Sequence, residues 1–375
     1  MVSSRETLRG GQRSPRCLGV VSGFLLKLIR ESTGITQIQL AEQLRVDVAS
    51  VQGWESGRRP LTALRAVDLV RLRSRMLRCG ATPTALAVLE DAIQADLIIA
   101  EAVEAGSQLI HADEHPLGAT VHQRKLTNLI TWPFTGVLPT QLRDLSKPVR
   151  ARRGPVPDRP TLDEPERARF FDHLIVTADA NHQLDASLLR RQSIYLLGFD
   201  TRENTAEWLY AEQLRGLRDV GHADHVQPWV AVRSSAVALA QTGDRAPLRA
   251  FVQNALTSER QEQANLNYWA YWVGEFDAVQ INDGFMDRID PRGWVGVRLL
   301  GHLFERLQPG SMHAELNIHT VWALLLSHPT LLSEHARLRS VAASKIESLV
   351  EDPDLSSQAR RELSDIAYAV CLARR

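Results

Sequence analysis

The chain has 375 residues, enough for two or three domains, and 44% hydrophobic residues to build their cores. No run of about 18 apolar residues suits a membrane span, and the N-terminus lacks the apolar stretch and cleavage site of a signal peptide. Three scattered cysteines, Cys17, Cys79 and Cys371, suit a reducing cytoplasm and exclude a disulfide framework or a cysteine zinc site. The 44 basic and 44 acidic residues balance overall, yet residues 1–80 hold 14 Lys/Arg against 6 Asp/Glu, so a +8 module is joined to a −8 body.

In chain order, residues 1–17 carry Arg5, Arg9, Arg13 and Arg16 among Gly, Ser and Gln and read as a flexible basic arm. Phe24, Leu25, Leu28 and Ile29 then form the apolar stripe of a first helix. Thr36 and Gln39 have the spacing of a capping box at the start of a second helix, whose apolar face is Leu40, Ala41 and Leu44. Arg45-Val46 makes a short turn, and Asp47 is a suitable N-cap for a third helix. In that helix Val51 and Trp54 point inward, and Val48, Ala49, Gln52 and Gly53 point outward. Gly57 ends it without the steric cost of a left-handed turn.

Two short helices at this spacing resemble a helix-turn-helix, and residues 18–80 as a whole resemble the lambda-repressor-like, Cro/C1-type (XRE) domain. The resemblance rests on Thr36-Gln37, Leu40-Ala41 and Trp54-Glu55-Ser56-Gly57-Arg58-Arg59. It also covers Arg30, which stands where the family often pairs an arginine with the glutamate represented here by Glu55. It implies double-stranded DNA as partner, with a recognition helix at about 48–56 in the major groove. DNA contacts are then expected from Gln37, from Asp47, Val48, Ala49, Ser50, Gln52 and Gly53, and from Arg58 and Arg59. Gln37 would meet a phosphate at a helix N-terminus. Gln52 can pair with adenine, and Val48 or Ala49 can touch thymine methyls. Gly53 departs from the pattern, since a polar or basic side chain is common there. The positive charge of the module fits this reading, and the basic arm can follow the DNA backbone or minor groove.

Thr82-Pro83 starts a connecting helix within 81–110, with a stripe of Leu86, Leu89, Ile93 and Leu97. Residues 111–160 hold 7 of the 17 prolines and read as a linker, ordered only near Ile130, Trp132 and Phe134; its Lys147, Arg150, Arg152 and Arg153 read as a solvated charge run. From 161 to 375 the periodicity is helical almost throughout. Candidate helices fall at about 164–179, 184–197, 203–219, 226–242, 245–256, 261–274, 293–307, 314–327, 332–350 and 355–373. The expected fold class is all-α: a lambda-repressor-like bundle followed by a helical domain that resembles tetratricopeptide-like pairs, without their fixed-period signature.

One local cluster stands out in the second half. Tyr268, Trp269, Tyr271 and Trp272 surround one helix, and with Trp294 and Trp322 they can line a pocket in which Asn265 or Glu275 orients a ligand. Tyr268, Trp269, Trp272 and Glu275 are therefore the candidate ligand-binding residues, weighed against plain core packing. His111, Asp113, Glu114 and His115 lack metal-ligand spacing, His313 and His319 read as surface or satisfied core histidines, and no nucleotide loop or nucleophile elbow appears. Neither an enzyme nor a metal or cofactor is expected. The expected protein is a cytoplasmic bacterial transcriptional regulator, nucleoid-associated when bound to DNA. Its helical domain would form a homodimer and sense a small molecule or protein. The alternative is a DNA-tethered helical adaptor that recruits a protein partner.

Overall fold

The computed structural model describes residues 19–145, 158–183, 186–220, 226–276, 278 and 280–373. The basic arm at 1–17 and the charge run from Lys147 to Arg153 lie outside the described residues. Among the described residues there is no strand, so the fold is all-α as the periodicity predicts. No helix there is long and apolar enough to cross a membrane. The chain divides into two compact units, one of residues 1–106 and 128–170 and one of residues 107–127 and 171–375.

The first unit begins with α1 (Val20–Ser32), α2 (Gln37–Leu44), α3 (Val48–Glu55), α4 (Ala66–Arg78) and α5 (Pro83–Ala105). The capping box forms as spaced: the Gln39 N–H donates to Thr36 Oγ1, and Gln39 Oε1 accepts from the Thr36 N–H at 2.8 Å. Asp47 occupies the N-cap position of α3 in extended backbone, but its side chain makes no capping hydrogen bond. Gly57 follows α3 with φ +74°, the left-handed turn that glycine adopts without strain. Leu25, Ile29, Leu40, Val51, Leu61 and Met76 are fully buried and make the core of these helices.

α5 packs on α1 with a face the sequence pattern misplaces. Leu86 and Leu89 are buried as expected, but Leu97 is 53% exposed, and the buried face continues through Ala92, Ala95, Asp96, Ile98 and Ile99. Small side chains let the two helices approach, and they bring Asp96 to the start of α1. That helix has no cap of its own, because Gly19 offers no side chain. Asp96 supplies one from 75 residues away, accepting from the Val21 and Ser22 N–H groups at 2.9 Å each. A carboxylate there satisfies two orphan donors at the positive end of the helix dipole.

Residues 111–145, expected as a linker, are largely helical. They contain 3-10 turns at Pro116–Thr120 and Thr140–Leu145, with α6 (Arg124–Thr135) between them. Trp132-Pro133 reads as a break because the residue before a proline avoids helical backbone. Pro133 falls in the last turn and forfeits the N–H that would bond the Leu129 carbonyl, but the burial of Leu126, Leu129, Ile130 and Trp132 prevails. Within the first unit Trp132 meets Phe24 edge-on, ring centroids 5.4 Å apart.

The remaining helices are α7 (Glu164–Ala180), α8 (Ser187–Leu197), α9 (Glu203–Val220), α10 (Gln227–Gln241), α11 (Ala246–Ala255) and α12 (Glu259–Val273). They continue as α13 (Phe285–Arg288), α14 (Val297–Arg306), α15 (Ala314–Ser327), α16 (Leu331–Glu334), α17 (Ala336–Leu349) and α18 (Ser357–Leu372). The segment read as one helix over 332–350 is two, broken at His335. In the second unit α10 packs on α8, α9 and α11, and α15 packs on α11, α12, α14 and α18. Two apolar clusters form there, one around Trp229, Phe251 and Phe285 and one around Leu299, Phe304, Ile318 and Leu363.

Burial lifts the Asp96 carboxyl to about 7, against the two N–H bonds that pull it down. The folded state therefore binds this proton more tightly than the unfolded chain does, so the contribution of Asp96 to stability is complete below about pH 4 and is lost as the pH rises through about 7. Thermal unfolding should show the first unit weakening between about pH 5 and about pH 7 in the wild type but not in Asp96→Asn, which carries no titrating group there. Equal slopes in the two proteins would contradict this.

Candidate nucleic-acid interface

α2 and α3 present the outward surface that the sequence predicts, with two revisions. Ala49 and Gln52 are exposed on α3, Val48 and Ser50 are partly so, and Asp47 is exposed at its start. Gly53 is buried, because the Arg59 side chain folds back over it. A Cβ at Gly53 would sit 2.9 Å from Arg59 Cδ and 3.1 Å from its Cγ. The Arg59 N–H donates to the Gly53 carbonyl at 3.0 Å, and its guanidinium donates to Ser50 Oγ at 3.0 Å. Gly53 is thus the seat of an arginine stem, not a surface position as expected. Arg59 in turn lies along α3 and carries its charge to the exposed side of that helix. Arg58 is exposed and donates to Ser56 Oγ at 3.1 Å.

The surface is held by an ion pair beneath it. Arg30 of α1 donates from Nε and Nη2 to the two oxygens of Glu55 at 2.5 and 2.9 Å, and from Nη1 to the Ile35 carbonyl at 2.9 Å. Both residues are 7% exposed. The fork geometry makes this the strong, directional kind of charged hydrogen bond. Glu55 Oε2 also accepts from Gln37 Nε2 at 2.7 Å, which fixes the first side chain of α2. One carboxylate therefore sets the positions of α1, α2 and α3 together. The Arg30–Glu55 pairing was expected, whereas the anchoring of Gln37 carries no signal in the sequence.

α1 and α3 also come close enough to exclude a side chain at one point. A Cβ at Gly23 would overlap the Trp54 carbonyl oxygen, a backbone atom with no freedom to yield. Arg65 and Arg71 both pair with Asp68 on α4, whose carboxyl is held below its usual range, chiefly by its hydrogen bond from Arg65.

The candidate ligand residues of the second unit are placed differently from expectation. Glu275 Oε1 accepts from the Leu299 N–H at 2.8 Å, so Glu275 caps α14. Asn265 is fully buried and donates to Thr320 Oγ1 at 3.1 Å. Trp294 is buried and donates to Asn267 Oδ1, and Trp322 donates to Asp365. Tyr268, Trp269 and Trp272 do gather on α12, with ring centroids 6.0 to 6.5 Å apart. Of the histidines, His115 stacks on His173 in the interior, centroids 5.1 Å apart. His319 sits between Glu262 and Glu362 at 2.7 and 2.8 Å. Burial opposes its charge, but those two carboxylates lift its pKa to about 9. Among the described residues no group of acidic, histidine or cysteine side chains has the makings of a metal site.

Residues 26–72 match the helix-turn-helix family, which covers α2, α3 and parts of α1 and α4. No curated protein and no solved structure matches the chain.

The buried ion pair leads to a stability prediction. Glu55→Ala leaves the buried Arg30 guanidinium with only the longer contact to Glu31 at 3.7 Å and should cost about 3–5 kcal/mol. The double substitution Arg30→Met with Glu55→Leu, which removes both charges, should recover most of that loss. Thermal unfolding of the three proteins decides it, and a double variant no more stable than Glu55→Ala would contradict the explanation.

Proposed function

We propose, from the XRE-type helix-turn-helix domain at its N-terminus, that the chain is a sequence-specific DNA-binding transcriptional regulator. The observation that carries this reading is the exposed face of α3, where Ala49 and Gln52 point outward beside the guanidinium of Arg59, on a scaffold held by Arg30 and Glu55. With α3 in the major groove, Gln52 reads a base edge, and Val48 and Ala49 offer apolar contact to thymine methyls. Gln37, held by Glu55 at the start of α2, meets a phosphate along with Arg58. Arg59, bound to Ser50, is near enough to α3 for either a phosphate or a base.

The helical region from 161 to 375 is the proposed dimerisation and sensor domain. A single module of this kind reads only a few base pairs, and two copies on a two-fold axis multiply the discrimination.

Alanine at both Arg58 and Arg59 should weaken binding to every sequence and flatten the dependence on salt, because phosphate contacts act through counterion release. Gln52→Ala should lower discrimination by about 1–3 kcal/mol at one base position and leave the salt slope unchanged. Mobility-shift titrations at two salt concentrations read both effects, and unchanged binding in all variants would remove α3 as the reading helix. Light scattering on the full chain should give twice the chain mass; a monomer at micromolar concentration would remove the dimer.

A further inference from the structure

The second unit contains a group of cations that its own carboxylates leave unmatched. Arg233 on α10 is only 4% exposed. Its guanidinium carbon lies 3.9 Å from the centroid of the Tyr268 ring and 5.2 Å from that of Trp269, and its Nε has no hydrogen-bond partner. Arg124 at the start of α6 donates to the Trp272 carbonyl at 2.6 Å. Arg306 at the end of α14 lies one helical turn beyond His302, whose ring faces that of Trp269 with centroids 5.8 Å apart. Among the described residues none of the three arginines has a carboxylate partner. The acidic residue nearest in sequence to Trp272, Glu275, is committed to the Leu299 N–H.

Two further hydrogen-bond donors stand unpartnered beside them. The indole N–H groups of Trp269 and Trp272 are buried and have no acceptor. Burial, reinforced by Arg306 and Arg124, holds His302 at about 4, and burial with Arg233 and Arg306 holds His313 at about 4. Both histidines are therefore neutral near pH 7. Tyr195 keeps its proton, pushed up to about 12 by burial although all three arginines oppose the shift. A buried guanidinium with no counter-charge is costly, and stacking on an aromatic ring returns only part of that cost. A buried cation without a counter-charge, two further arginines beside the same aromatic helix and two orphaned indole N–H groups ask for one kind of complement, an acceptor that carries negative charge. Arg306 is exposed and Arg124 and Trp272 are partly so, which leaves the group open to solvent.

We propose that Arg124, Arg233 and Arg306, with the indole N–H groups of Trp269 and Trp272, bind a small ligand through its phosphate or carboxylate group. Binding stands on this cluster alone, and only its effect on DNA rests on the sensor reading above. The test titrates the full-length protein with pyrophosphate and, separately, with citrate at matched ionic strength, following tryptophan emission and thermal unfolding. At least one of them should give a saturable change in emission and a rise in melting temperature, and which one does so separates phosphate from carboxylate. Arg306→Gln, a surface change, and Arg233→Met should each weaken the response by about tenfold or more. Arg361→Gln on the exposed side of α18 should leave it intact. No saturable response in the wild type, or an equal response in the Arg306 and Arg233 variants, would overturn the site by reducing the effect to a general one of salt. Saturable binding that leaves DNA affinity unchanged would overturn the sensor reading and leave the site standing.

Discussion

The proposed DNA-binding surface depends on one buried carboxylate. Glu55 sits at the end of α3, yet its partners are Arg30 of α1 and Gln37 of α2. An exposed pair would contribute little and be screened by salt. A pair 7% exposed on each side is different, because removing either partner leaves the other in a low-dielectric interior without its main counter-charge. The geometry is correspondingly strict, with both carboxylate oxygens and all three guanidinium nitrogens committed. The angle of α3 to the rest of the bundle follows from it, as does the close approach at Gly23.

A second constraint works at the other end of α1. That helix begins at a glycine and has nothing local to satisfy its first N–H groups. Asp96 does so from α5, so the connecting helix is part of the DNA-binding unit. The arrangement couples the start of α1 to the protonation of one interior carboxyl. Arg59 adds a third long-range feature, since its stem covers Gly53 while its head joins Ser50 on the outer side of α3.

Much of this was legible in the residues. Thr36 and Gln39, Gly57, Thr82-Pro83 and most of the helical stretches after residue 161 announce themselves within a few positions, because caps, turns and 3.6-residue periodicity are local physics; the break at His335 and the short α13 do not. What escaped was set by distant partners. Asp96 looks like a polar interruption of an apolar helix until Val21 and Ser22 are beside it. Gly53 looks like a gap in the recognition face until Arg59 folds over it. α6 hides behind Pro133, because the local cost of proline is readable and the burial that outweighs it is not. The aromatic run at 268–272 was visible as a cluster, but the expected polar partner, Glu275, turned out to cap α14, and Arg233 lies 35 residues upstream of Tyr268.

Selection from a random DNA pool by the purified full-length protein tests most directly whether α3 reads base sequence. The recovered molecules should share one short motif, present as two inverted copies. A recovered pool with no common motif, held by charge alone, would contradict this.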